Sequence, residues 1–262
     1  MKNKRLVIIL SVLIVLTLLI VLVSAVFTVQ SISVQWHTQP NVLTVNSNEK
    51  IISSSKIKEK SSVFTLKKKD YIASIEKNNA YVKVKSIEVK FPNKVVIHVC
   101  EREPYYYLNL SAGEYAILDA DLKVLELTSD LKSYVDAFGV SPIEMNIDNT
   151  MIANMNIGSG DFLSVACTDT YTTLANYIAR IDYSPLKAKN TIKSVRLVND
   201  NLYIYTYLGL DMYIDDIDAD FTDKVSKGFS AYEQFKDTYF EGTILCYDNN
   251  TYLSHEDIDT IK

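Results

Sequence analysis

Ser53 and Lys56 stand in the Ser-x-x-Lys spacing of an acylating serine in a cell-wall enzyme. That chemistry also requires Ser-Asp-Asn and Lys-Thr-Gly elements, and neither occurs. The same spacing recurs from Ser47, Ser129 and Ser184, so it carries no catalytic reading here. Asp216, Asp218 and Asp220 begin like a calcium loop, but the sixth and twelfth positions are Phe221 and Lys227, where such a loop needs Gly and a bidentate Glu. The acidic run instead reads as a solvated link that sets negative charge at a helix N-terminus. His37, His98 and His255 lie far apart without ligand spacing and read as surface residues. Cys100, Cys167 and Cys246 form no C-x-x-C and are odd in number, so they read as separate thiols. Seven glycines are spread over the chain with no phosphate-cradling loop. The sequence is that of a non-enzyme, with no cofactor and no metal.

The formal net charge is −5 over 262 residues, which argues against a nucleic-acid partner, since phosphate neutralisation needs a concentrated basic surface. Lys67-Lys68-Lys69 is a charge run at a helix start and reads as a solvated face. From Leu6 to Phe27 the chain is almost wholly Leu, Ile and Val. As a helix this run extends roughly 33 Å, enough to cross a bilayer. Lys2, Lys4 and Arg5 precede it, and no Lys or Arg follows until Lys50. The positive-inside rule then places the N-terminus in the cytoplasm and the rest outside. Val23-Ser24-Ala25 would pass as a signal-peptide cleavage site, but the apolar run is longer than a secretory core usually is. The expectation is an uncleaved anchor.

The elements beyond the anchor follow from periodicity. Thr28–Trp36 alternates as a strand. Ser47 caps a short helix to about Lys56, and Lys67–Asn78 forms a second. Val63–Leu66 reads as extended. Ser86–Pro104 is the most ordered stretch: Ile87, Val89 and Phe91 alternate with polar residues, Pro92-Asn93 breaks the run, and Val95, Ile97 and Val99 resume it. This predicts a hairpin with a loop wider than the tightest turns, because Pro cannot supply positive φ. Glu101-Arg102-Glu103 reads as an exposed strand end of alternating charge. Further on come strands at Tyr115–Leu118 and Lys123–Leu127, an irregular stretch at Val135–Ile147 with Gly139 and Pro142 as breakers, and a helix from Asp161 to about Ile181. Strands at Thr191–Val198, Leu202–Leu208 and Asp211–Ile214, a helix at Thr222–Lys236 and a strand at Thr243–Tyr247 follow. Gly228 weakens that last helix by roughly 1 kcal/mol relative to Ala. The tail from Asp248 reads as polar and loosely held.

Phe-Pro-Asn93-Lys-Val-Val-Ile-His-Val-Cys-Glu-Arg-Glu-Pro104 resembles the signature that ends the POTRA domain of the FtsQ/DivIB family of bacterial division proteins. Val63-Phe64-Thr65-Leu66, Ala80-Tyr81-Val82, Ala116–Asp119 with Val124-Leu125, and Asp136–Gly139 are similar to further family segments in the same order. Leu122 stands where the family usually has Gly. Lys224 matches the Lys or Arg that opens the family's late helix, and Gly242–Asp248 resembles its final strand.

The resemblance implies an α+β chain. Residues 1–5 would be a cytoplasmic tail, 6–27 a transmembrane helix, 28–104 a POTRA-like domain of β-α-α-β-β order, 105–247 a β-rich domain with two or more helices, and 248–262 a polar tail. It implies a cell-division scaffold at the septum, docking FtsB/DivIC-like and FtsL-like membrane partners and coupling them to septal peptidoglycan synthesis. Glu101-Arg102-Glu103 would be the junction of the two domains. Partner binding is expected at Thr243, Ile244, Leu245, Cys246, Tyr247, Asp248 and Lys224. Thr243–Tyr247 would be an edge strand, whose free backbone groups accept a partner strand. Tyr247 either touches the partner or packs on the sheet. The alternatives are a POTRA-bearing envelope transport or chaperone component and an anchored envelope enzyme.

Overall fold

A computed structural model describes residues 2–38, 47–111, 113–138, 142–146, 157–160, 172, 175–176, 178–179, 188–217, 219–238, 241–248 and 250–261. Helix α1, Lys2–Val26, is long and apolar enough to cross a membrane over Ile9–Val26. Its aliphatic side chains from Ile9 to Val21 stand bare of protein. An apolar helix with no buried face is stable only in a lipid-like medium, which fits a single-pass membrane protein. The chain then divides into two compact units, up to Arg102 and from Glu103 onward.

The first unit contains β1 (Ser31–Trp36), α2 (Asn48–Ser55), a 3-10 turn at Val63–Thr65, α3 (Lys68–Asn78), β2 (Val82–Lys90) and β3 (Lys94–Glu101). Its sheet runs β1-β3-β2, with β1 parallel and β2 antiparallel to β3. Alternation decides which face is buried: Ile87 on β2 and Val95, Ile97 and Val99 on β3 meet Ile51 of α2 and Ile75 of α3 in one core. Ser47 caps α2 by accepting the Lys50 N–H, and Lys56 ends it in the left-handed region. The Lys90–Lys94 pair closes the hairpin over the three-residue loop Phe91-Pro92-Asn93. Val63–Thr65 is not extended as its β-branched and aromatic residues suggest. Ser62 accepts the Phe64 N–H and turns the chain instead.

Arg102 is the larger surprise. It is buried, not exposed. Its guanidinium donates to Glu76 Oε2 of α3 at 3.1 Å and, through Nε, to the Val82 carbonyl. Glu76 Oε1 meanwhile accepts the Val84 N–H. The arginine therefore clamps α3 to the head of β2. Nor are two of the histidines separate surface groups: His37 Nε2 lies 3.2 Å from His98 Nδ1, and His98 Nε2 lies 3.0 Å from Glu88 Oε2. β1 and β3 run side by side, with Trp36 opposite Val99, and that parallel pairing brings His37 to His98.

The second unit holds β4 (Tyr106–Ser111), β5 (Glu114–Leu118), β6 (Val124–Thr128), α4 (Leu131–Phe138), β7 (Ile143–Asn146), α5 (Ala188–Thr191), β8 (Ile192–Val198), β9 (Asn201–Thr206), β10 (Leu210–Ile214), α6 (Phe221–Phe235), β11 (Gly242–Tyr247) and β12 (Asn250–Ser254). Among the described residues these strands form one sheet, ordered β12-β11-β10-β9-β8-β7-β4-β5-β6. Most neighbours are antiparallel; β10 with β11, β4 with β7 and β7 with β8 are parallel. One core joins Leu108, Leu118, Ile143, Val195, Ile204 and Met212 with residues of α6.

Several expectations change here. The stretch read as irregular holds the last turn of α4 and all of β7; Asp130 starts α4 by accepting the Ser133 N–H and hydroxyl, which hold its carboxyl below the usual range. The helix expected at Asp161–Ile181 lies mostly outside the described residues, as does Cys167, though the helical residues Ala175 and Ile178 reach the core. Leu122 adopts φ +61° in the β5–β6 turn while its side chain is buried. The left-handed backbone explains why a glycine suits that position.

Candidate partner-binding site

Thr243–Tyr247 is not an edge. β11 has β10 on one side and β12 on the other, with Thr243 opposite Ser254 and Tyr247 opposite Asn250. The short, polar Asn250–Ser254 run gives little alternation to read, so its strand was not visible in the sequence. It is β12 that ends the sheet. On it Tyr252 is exposed, while Thr251, Leu253 and Ser254 are half-buried.

The residues expected to bind a partner separate by face. Ile244 and Cys246 point into the core beneath α6. Thr243 is buried, and its hydroxyl donates to the Glu256 carbonyl. Leu245 and Tyr247 lie half-buried on the opposite face, packed against Tyr203, Tyr213 and Ile258. The Tyr247 ring lies tilted against those of Tyr213 at 5.8 Å and Tyr252 at 6.4 Å. Of the set, Asp248 alone is exposed. The tail is held as well. After β12 a 3-10 turn at Ile258–Thr260 drives Ile258 into the tyrosine cluster. Asp259 Oδ1 accepts from Arg196 at 2.6 Å and from the Tyr205 hydroxyl at 2.7 Å. Arg196 itself lies over the Tyr203 ring.

Lys224 is enclosed at the start of α6. Its ammonium donates to the carbonyls of Asp215 and Asp216 and pairs with Asp215 Oδ1 at 2.9 Å. Asp248 Oδ1 lies 3.5 Å away. Burial pulls its pKa down, but the hydrogen bonds and charges of Asp215 and Asp248 outweigh this and hold it above the ordinary lysine value. The acidic link between β10 and α6 thus turns its carbonyls toward a lysine of the same chain. Asp218 lies outside the described residues. Among those described, no group of three or more His, Cys, Asp or Glu side chains is arranged to hold a metal.

A family model for the FtsQ-type POTRA domain matches residues 41–102, the span that holds α2, α3, β2, β3 and the Arg102 clamp. Two relatives align beyond it. The cell division protein DivIB of Clostridium tetani is 29% identical over 184 residues, 70% of this chain and 63% of its own length. That of Clostridium acetobutylicum is 28% identical over 144 residues, 55% of this chain and 52% of its own. Residues 41–102 thus match the FtsQ-type POTRA domain, and over a longer span the chain is similar to DivIB cell division proteins. The alignments leave over a third of each DivIB relative uncovered.

In this DivIB-like chain, α6 sits unusually close to the sheet at one point. A Cβ added to Gly228 would lie 2.8 Å from Cys246 Sγ and 3.6 Å from Met212 Sδ. Glycine here lets the helix approach the sulfur. Burial pushes the Cys246 thiol up to about 12, so it stays protonated and acts as a small apolar filler. Gly228→Ala should therefore destabilise the native chain by about 1 kcal/mol, since overpacking outweighs the helix-propensity gain. In a Cys246→Ala background the same change should stabilise by a similar amount. Thermal unfolding of the four variants decides this; the same sign in both backgrounds overturns it.

Proposed function

We propose that this chain is a non-catalytic scaffold of bacterial cell division. α1 anchors it with the N-terminus in the cytoplasm, and the two folded units stand outside the membrane at the septum. There they hold FtsB/DivIC-like and FtsL-like bitopic partners for septal peptidoglycan synthesis. The DivIB relatives support the division role. Among the described residues β12 is one of the two terminal strands of the nine-stranded sheet, which supports the mode of capture: a partner segment adds beside β12, not beside β11. Main-chain hydrogen bonds then supply affinity, and Tyr252 with neighbouring side chains supplies selectivity. Anchoring raises the effective concentration of partners held in the same membrane. Lys224 and the core residues of β11 act by holding β12 in place.

In the resembled family this region captures FtsB/DivIC by strand addition, and the sheet order makes the contact testable residue by residue. Across a two-residue connection Tyr247–Asn250 is the closing hydrogen-bonded pair. By the alternation of antiparallel ladders, Tyr252 then bonds to Leu245 while Thr251 turns its N–H outward. Thr251→Pro should weaken co-purification of the DivIC-like partner about ten-fold and leave the fold intact. Tyr252→Pro, cutting the inner ladder, should lower both stability and capture. Undiminished capture by folded Thr251→Pro overturns strand addition. Uniform envelope labelling by a fluorescent fusion, without midcell enrichment, overturns the division role.

A further inference from the structure

We infer that the first unit carries a lipid-docking surface, made by Phe27, Phe64 and Phe91, that seats in the headgroup layer of an anionic phospholipid membrane. The inference rests on α1 being a membrane span. The three rings come from three places in the sequence: the residue just past α1, the 3-10 turn and the hairpin tip. Their centroids are 5.2 Å apart for Phe27 and Phe64, 6.1 Å for Phe27 and Phe91, and 5.9 Å for Phe64 and Phe91. Phe64 is 63% exposed and Phe91 65% exposed, although burying such a ring is among the larger apolar gains a fold can make.

Backbone bonds fix this arrangement at the exit of the span. The Val63 N–H donates to the Phe27 carbonyl at 3.0 Å, Val29 to Ser61 at 2.8 Å, Lys60 to Val29 at 2.8 Å, and Gln30 to Asn93 at 2.9 Å. Both exposed loops are thus tied to the first residues after Val26. The interfacial layer on each side of a bilayer is roughly 5–7 Å deep. Phe27 directly follows the span, so rings centred within 6.1 Å of it lie within about one interfacial depth of the span's end. Phe side chains on membrane-surface segments bury at the headgroup–acyl boundary.

Charge points the same way. Lys60, Lys67, Lys68, Lys69, Lys90 and Lys94 are exposed on the segments that carry or flank the two rings, against Glu59, Asp70 and Glu88 on the same segments. Phe64, Leu66, Lys68, Glu88, Val89 and Phe91 line a groove of about 530 Å³, a largely apolar trough with one lysine and one glutamate at its border. Apolar rings with adjacent lysines are the composition that binds anionic interfaces. The surface would press the first unit onto the membrane.

The test uses the full chain in vesicles of phosphatidylcholine with brominated acyl chains, with and without phosphatidylglycerol. Trp36, the one tryptophan of the chain, is replaced by Phe, and F64W or F91W is introduced. With phosphatidylglycerol, both probes should emit to the blue and be quenched. Replacing Lys67, Lys68 and Lys69 by Gln should lower the docked-to-free ratio about five-fold per lysine and reverse most of the quenching. Carbonate extraction is run on the same vesicles. Chain retained in the pellet with unquenched, water-like emission from both probes overturns the docking surface alone. Release into the supernatant overturns the membrane span, and the docking surface with it.

Discussion

Replacing Arg102 by Met is expected to cost the first unit about 3–5 kcal/mol, the usual penalty for removing one partner of a buried ion pair. Glu76 retains little contact with water, and its second oxygen is already engaged by the Val84 N–H. Without the guanidinium its charge is left desolvated between α3 and β2, and the Val82 carbonyl loses a donor. Arg102→Lys keeps the charge but has no planar fork to reach both Glu76 and Val82, so it should fall between the two. Pairing Arg102→Met with Glu76→Gln removes the stranded charge and keeps an acceptor for Val84. That double variant should be more stable than Arg102→Met alone by about 1–2 kcal/mol, a coupling that only contacting residues show. Amide exchange of the full chain in detergent reads this directly, as lost protection across α3, β2 and β3. Purely additive losses would mean the pair does not carry the signature's cost.

That result would also change what the Glu-Arg-Glu-Pro ending means. Read along the chain, its charges alternate and look solvated; in three dimensions the arginine reaches 26 residues back to a helix. This is where the sequence stops being legible. Local devices could be read: the Ser47 cap, the Ile87–Val99 alternation, the Val225–Phe229–Tyr232 stripe of α6, the breaker at Pro92-Asn93. Each acts within a few residues, and each appears where its spacing says. Partnerships set by sheet order could not be read. β12 has almost no apolar alternation, because its place depends on backbone pairing to β11 and on Ile258 closing beneath the tyrosines. The edge therefore lies one strand beyond Thr243–Tyr247. His37 and His98, 61 residues apart, meet only because β1 and β3 run side by side. Asp130 is the cap of α4, a local signal that lies nine residues ahead of the first breaker, Gly139.

Lys224 decides between two accounts of the same family position. If it binds a partner directly, removing its charge should abolish capture and leave the fold alone. Its surroundings predict the opposite. The ammonium is fully enclosed, with the carbonyls of Asp215 and Asp216 and the carboxylate of Asp215 around it. Lys224→Met would fill most of the space but leave those oxygens without their donor. Because Asp215 retains some access to water, part of its charge can be rehydrated, so the loss should sit at the low end for a broken buried pair, about 3 kcal/mol. For a unit of this size that lowers Tm by roughly 6–12 °C. Asp248 is largely exposed and 3.5 Å from the ammonium; Asp248→Ala should change stability by less than about 0.5 kcal/mol. Capture of the proposed DivIC-like partner by Lys224→Met should then recover on cooling below the lowered Tm, as β12 regains its place beside β11. Loss of capture at an unchanged Tm would make Lys224 a contact residue and overturn its assignment as the post that holds the sheet's last two strands.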